Sequence, residues 1–229
     1  MRPAVRDINS TATSSIETSK VVRNTYSLLS MTLVFSAVMA GVSMTIQPPM
    51  FTGIVCSLIA MGMIWFVLPR TANSAAGLGV VFGITGLLGF GLGPILTHYL
   101  AMANGGMIVM NAMATTGFTF LGLSAYVLTT KKDFSFMGGF LMAGMIAMIV
   151  LSVISMIAAW GFGAEISGVM LAISAAVVLL MCGLILFETS NIVNGGETNY
   201  LMATIGLYLA IYNMFTALLH LIGAFSNDD

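Results

Sequence analysis

The chain has 229 residues, of which 59% are hydrophobic and only 7% charged, and its mean hydropathy is +1.04. Soluble domains carry about 25% charged residues, so this composition excludes a water-covered globule and makes lipid the solvent for most of the chain. A formal net charge of -1 provides no basic field for nucleic acid.

Residues 1–24 (MRPAVRDINSTATSSIETSKVVRN) are rich in Ser, Thr and charge and poor in large apolar side chains. They read as a flexible cytoplasmic tail ahead of a transmembrane domain over residues 25–229. Seven apolar runs follow, at 27–46, 50–68, 75–97, 107–128, 137–160, 168–187 and 200–225. Each is near the ~17–25 residues that cross a bilayer as a helix. Helix is the expected state because lipid offers no partners to open backbone groups. The breaks carry turn chemistry: Gln47-Pro48-Pro49, Pro69-Arg70 with Asn73, Asn104-Gly105-Gly106, Lys131-Lys132-Asp133, the stretch 161–165, and Asn194-Gly195-Gly196. The first run is too long for a signal h-region, and six more spans follow it. The expected fold is therefore an all-α integral membrane protein with seven transmembrane helices.

In span three, Gly79-x-x-x-Gly83 and Gly89-x-x-x-Gly93 precede Pro94. Small residues four apart let helix backbones approach closely in lipid. Met107, Met110 and Met113 recur every third position, as do Met142, Met145 and Met148. Thioethers can ligate Cu(I), but no Cys or His accompanies either set, and packing is the better account. Cys56 and Cys182 lie inside apolar runs without a spacing partner and read as free, buried thiols. Gly122-Leu123-Ser124 with His220 suggests a serine nucleophile and its base. The two residues differ by about 16 residues of depth, however, or ~24 Å of helical rise, far beyond hydrogen-bond reach. No catalytic residue, metal or cofactor is expected.

Glu188, in LILFETSNIVNGGETNY (184–200), stands where span six gives out. It is either a working carboxylate at the membrane edge, with Arg70 at the end of span two as its natural partner, or the first residue of a solvated loop. Span seven carries polar residues at every fourth position: Thr204, Tyr208, Tyr212, Thr216 and His220, with Asn213 adjacent. Polar groups in lipid turn inward to find partners, so span seven is the best candidate for a helix surrounded by the others. Its polar row serves either interhelical hydrogen bonding or an aqueous path. With seven spans, all seven cations (Arg2, Arg6, Lys20, Arg23, Arg70, Lys131 and Lys132) fall on one side. The positive-inside rule makes that side, and the N-terminus, cytoplasmic, and places residues 226–229 outside.

LILFETSNIVNGGETNY, with LYLAIYNMF at 207–215, resembles the paired signature of the Bax inhibitor-1 family. KVVRNTYSLLSMTL (20–33), GLGPIL (91–96) and SAYVLTTKKDFSFMGGFLMAG (124–144) resemble its bacterial YccA branch. The resemblance runs from about Lys20 to Phe225. It implies a seven-helix fold with the seventh helix in the middle, in agreement with the polar row. It also implies a pH-sensing acidic pair linked to calcium leak, of which the first acid matches Glu188 and the basic latch matches Arg70. The second acid falls on Ala210, which cannot ionise, so a leak through a carboxylate pair is in doubt. The YccA branch is similar to a modulator of FtsH, the membrane-anchored ATP-dependent protease of the bacterial inner membrane. The resemblance thus implies FtsH, with its membrane-associated regulators, and the lipid bilayer as partners. The alternative is a proton-sensitive cation (calcium) leak channel or transporter.

Overall fold

The computed structural model describes residues 4–162 and 167–226, with side chains from residue 17 onward apart from 160 and 162. Its elements are α1 (Ala4–Ile46), α2 (Thr52–Gly62), α3 (Leu68–Thr71), α4 (Ala76–Leu100), α5 (Gly105–Thr130), α6 (Gly138–Phe162), α7 (Ser167–Val193) and α8 (Tyr200–Phe225). A π-helical stretch, Met63–Val67, joins α2 to α3, and a 3-10 turn, Ser135–Met137, leads into α6. Among the described residues, seven stretches are long and apolar enough to cross a bilayer: Glu17–Ile46, Thr52–Thr71, Ala76–Leu100, Gly105–Thr130, Ser135–Ala159, Ser167–Val193 and Tyr200–Phe225. This is a multi-pass membrane protein.

Two helices outrun the sequence boundaries. α7 continues past Phe187 to Val193, so Glu188 lies inside a helix rather than at the start of a loop. α1 reaches back to Ala4 without a break at residue 24. In both cases the flanking residues are polar, which hydropathy scores as the end of a span. A helix already nucleated by a span nevertheless gains one backbone hydrogen bond for each residue added.

α8 packs against α1, α4, α5 and α7 and is central, as its polar row suggested. α4 shares the interior: 50% of its most apolar window is buried, against 44% for α8 and 11% for the α6 span. α6 packs chiefly on α7 and turns most of its apolar surface outward. The glycines of α4 explain its depth. A Cβ on Gly89 would strike the Ser36 carbonyl of α1, and one on Gly93 would strike the Ser43 hydroxyl. Gly91 carries its backbone oxygen to within 2.9 Å of the Cβ position of Gly53 on α2. In the earlier motif Gly79 meets nothing within 4 Å and Gly83 meets only the Met63 side chain, at 3.1 Å from its Cβ position, so the backbone-to-helix approach belongs to the second motif.

Arg70, Lys131 and Lys132 mark the basic end of the bundle. There α5 stops at Lys131, whose φ of 52° is left-handed and whose N–H donates to the Val127 carbonyl at 2.8 Å. Lys132 donates to the Tyr126 hydroxyl at 2.9 Å, and that bond raises its pKa. The backbone N–H of Ser135 donates to Asp133 Oδ1 at 2.8 Å and holds that carboxyl below the usual carboxylate range.

Candidate functional site

The last turns of α7 carry four consecutive residues, Glu188 to Asn191, that serve four directions. Successive helical residues are 100° apart, so four of them sweep almost the full circumference of a helix enclosed by neighbours. Thr189 is fully buried, and its hydroxyl lies 3.4 Å from Tyr26 Oη of α1 and 3.4 Å from Ser124 Oγ of α5. Ser190 Oγ accepts from the Phe134 N–H at 2.8 Å and from Asn194 Nδ2 at 3.1 Å. It donates to the Lys132 carbonyl at 3.2 Å and so holds the loop between α5 and α6. The Asn191 carbonyl accepts from the N–H groups of Gly196 (2.8 Å) and Glu197 (3.1 Å), which turns the chain toward α8. Gly195 makes that turn possible with a φ of 77°, a conformation that favours glycine.

Glu188 faces α8. Its carboxyl carbon and both oxygens lie 2.8–2.9 Å from where a Cβ on Gly206 would stand. The carboxylate therefore occupies the space that glycine leaves. Glu197, on the α7–α8 connection, is near enough for the two negative charges to repel each other. One Glu197 oxygen accepts from the Asn199 N–H at 2.7 Å. Asn199 caps α8 by accepting from Leu201 N (2.9 Å) and Met202 N (3.3 Å). Its amide donates to the Ala72 carbonyl (2.9 Å) and Asn73 Oδ1 (3.0 Å), which ties the loop after Arg70 to the start of α8. Arg70 itself is exposed, and its Nη1 donates to the Phe66 carbonyl at 3.0 Å. Arg70 and Glu188 share no hydrogen bond or ion pair among the described residues.

The span-seven row divides by depth. Thr204 donates to the Tyr200 carbonyl at 2.6 Å and reaches the Thr25 carbonyl of α1 at 3.4 Å. Tyr208, only 1% exposed, pairs with Ser36 Oγ at 2.6 Å and donates to the Thr85 carbonyl at 3.3 Å, linking α8 to α1 and α4. Tyr212 stacks on Tyr208 at 6.2 Å. Thr216 and Asn213 bond within their own helix, Thr216 to the Tyr212 carbonyl (3.1 Å) and Asn213 to the Leu209 carbonyl (2.8 Å). Tyr208 and Tyr212 border a cavity of about 460 Å³ between α1, α4, α5 and α8, whose other walls are mostly apolar, as at Leu33, Leu92, Phe120 and Phe215. Ala210 is fully buried, one turn beyond Gly206. Both cysteines are free, Cys56 buried and Cys182 half-buried.

Ser124 bonds toward Thr189, while His220 lies beside Tyr99, next to the far end of α4. The structure thus separates them as the depth count required. Among the described residues, no three His, Cys, Asp or Glu side chains gather as a metal site. Reasoning from the sequence missed Glu197, Gly206 and Asn199. Asn199 had a readable signal, an N-cap residue directly before an apolar run. Glu197 and Gly206 had none, because only the antiparallel packing of α7 on α8 brings them to Glu188.

An uncharacterized membrane protein of Vibrio cholerae is 48% identical to this chain over 215 residues, covering 94% of each chain. An Escherichia coli K12 protein named "Modulator of FtsH protease YccA" is 47% identical over 216 residues, covering 94% of this chain and 95% of its own. An uncharacterized protein of Pseudomonas aeruginosa is 44% identical over 222 residues, covering 97% of each. The model of the Bax1-I family, "Inhibitor of apoptosis-promoting Bax1", matches residues 18–227, which takes in α7 with Glu188, the connection holding Glu197 and Asn199, and α8. The chain belongs to the Bax1-I family.

Proposed function

We propose that this protein is an inner-membrane modulator, acting as an inhibitor, of FtsH-dependent proteolysis of membrane proteins, and that it has no catalytic activity of its own. The observation that carries this reading is the end-to-end similarity to the relative named as a modulator of that protease, at 47% identity over 94% of the chain. The one-sided distribution of all seven cations supports an orientation with the N-terminus in the cytoplasm and the C-terminus outside. The test is co-purification of the intact protein with FtsH, together with turnover of an FtsH membrane substrate in cells with and without the protein. Co-purification with slowed turnover is the expected result. Absence of both effects would dispose of the reading.

A second reading, a proton-sensitive cation leak, is favoured by one observation: Glu188 is held inside a helix, against Gly206, with the Glu197 charge nearby. In this reading Arg70 and Glu188 form the latch, and Thr204, Tyr208, Tyr212, Asn213 and Thr216 line the path. With Ala210 in the place of the second acid, little calcium flux is expected, since hard cations need several oxygen ligands. Ala210→Asp should raise the leak in proteoliposomes. Robust wild-type Ca²⁺ flux that Glu188→Gln abolishes would favour the leak over the modulator.

A further inference from the structure

At the basic end, α1, α5 and α7 enclose a pocket of about 390 Å³, within the ~300–1,000 Å³ usual for small-ligand sites. Its walls combine two chemistries. Arg23 of α1 and Lys131 at the stop of α5 supply two cations, with the hydroxyl residues Thr18 and Ser19 alongside. Val22, Leu128 and Val193 supply apolar surface. Residues 23 and 131 are 108 positions apart in sequence, so the fold and not a local basic run brings them together. Among the described residues neither cationic side chain has an ion-pair or hydrogen-bond partner. Lys131 also holds its place in a left-handed backbone conformation that glycine fills more easily, which sets where its side chain can reach.

The pocket sits where the apolar spans of α5 and α7 give out, at Thr130 and Val193. At that level a bilayer changes from acyl chains to headgroups. α5 and α7 both end there with their carbonyl poles, which disfavour an anion. Of the residues lining the pocket, Arg23 and Lys131 are the ones whose charge offsets that field for an anionic ligand. We infer that this pocket binds the phosphate headgroup of an anionic phospholipid, with Arg23 and Lys131 on the phosphate and Val22, Leu128 and Val193 against the glycerol and first methylenes. The charge complementarity and the apolar wall favour a lipid over a free phosphate, which would leave that wall wet. The inference does not depend on the function proposed above.

The test is lipid titration of the purified full-length protein in detergent, read by native mass spectrometry. Phosphatidylglycerol should be retained over phosphatidylcholine by about tenfold or more, each cation contributing about fivefold. Arg23→Gln/Lys131→Gln should lose that preference. Lys132→Gln, which removes a cation of the same end that is turned to Tyr126 and does not line the pocket, should keep it. Equal retention by the double variant and the wild type would overturn the assignment. Displacement of the lipid by millimolar inorganic phosphate or by an acidic peptide would overturn it too, in favour of a soluble anion or a protein partner. If the double variant does not fold, the wild-type salt dependence decides. A preference that falls as salt rises supports the site, and one indifferent to salt refutes it.

Discussion

Glycine at position 206 is where side-chain volume and charge meet most directly. A methyl group there would stand under 3 Å from the Glu188 carboxyl. Gly206→Ala gains up to ~1 kcal/mol of helix propensity but incurs ~1–3 kcal/mol of overpacking, so a net loss in detergent melting temperature is expected. Because the conflict is steric, adding Glu188→Ala should restore stability, whereas adding the isosteric Glu188→Gln should not; rescue by Gln would show that charge had been the cause. The proposed Arg70–Glu188 latch makes a separate demand. The two are apart in this structure, so the latch requires a second state in which they pair; where that state is populated, Glu188→Gln and Arg70→Gln should each cost more than the double change, since removing one partner strands the other's charge. Strictly additive losses would mean the two residues never meet. Tyr208→Phe removes bonds to Ser36 and Thr85. A loss near the ~0.6 kcal/mol average for such bonds in membranes is expected, and no change in thermal unfolding would mean that the hydroxyl is replaceable.

At the scale of helices, α4 offers a comparison within one element. Gly89→Ala should drive α1 and α4 apart, because its Cβ would meet the Ser36 carbonyl, which cannot move aside. Gly79→Ala faces open space and should be neutral or slightly stabilising. If both variants melt alike, the close approach at Gly89 is not what holds the pair. The two glycines look equivalent in sequence, since motif spacing does not say which side of a helix has a neighbour. The same limit governs the rest of the fold. The number of spans and their turns were legible because hydropathy and Gly, Pro and Asn report them locally. The continuation of α7 to Val193 was not, because its polar turn is hydrogen-bonded to loops distant in sequence. Glu188 was visible as a lone acid at the end of an apolar run, but its contact with Gly206 depends on the register between two helices. Thr204 and Tyr208 are both buried. Four-residue spacing could not, however, distinguish their bonds to other helices from the self-bonds of Thr216 and Asn213.

For the whole molecule, orientation is the first matter to test. In a version made free of cysteine, a new thiol at position 227 should react with an impermeant reagent added from outside the cell; labelling only from the cytoplasm would reverse the proposed topology. The engagement of FtsH is proposed to begin at residues 1–24. Deleting residues 2–16 keeps Lys20 and Arg23 for insertion and should lengthen the protein's lifetime in cells with active FtsH. Equal lifetimes of the full and shortened chains, with and without the protease, would remove the N-terminus as its handle.

The arrangement of neighbours also has a mechanical reading. α1, the helix nearest one terminus, packs on α4, α7 and α8, and α8, nearest the other, packs on α1, α4, α5 and α7. The loosely held element, α6, lies between them in the chain, with α7 as its main neighbour. A pulling motor has to start at an end, and at either end it meets a helix sheared against the interior before it can reach anything that peels. In single-molecule unfolding from either terminus, the first rupture should therefore need the greatest force, and later ones progressively less. A low first peak would mean that the chain offers a soft end to its puller.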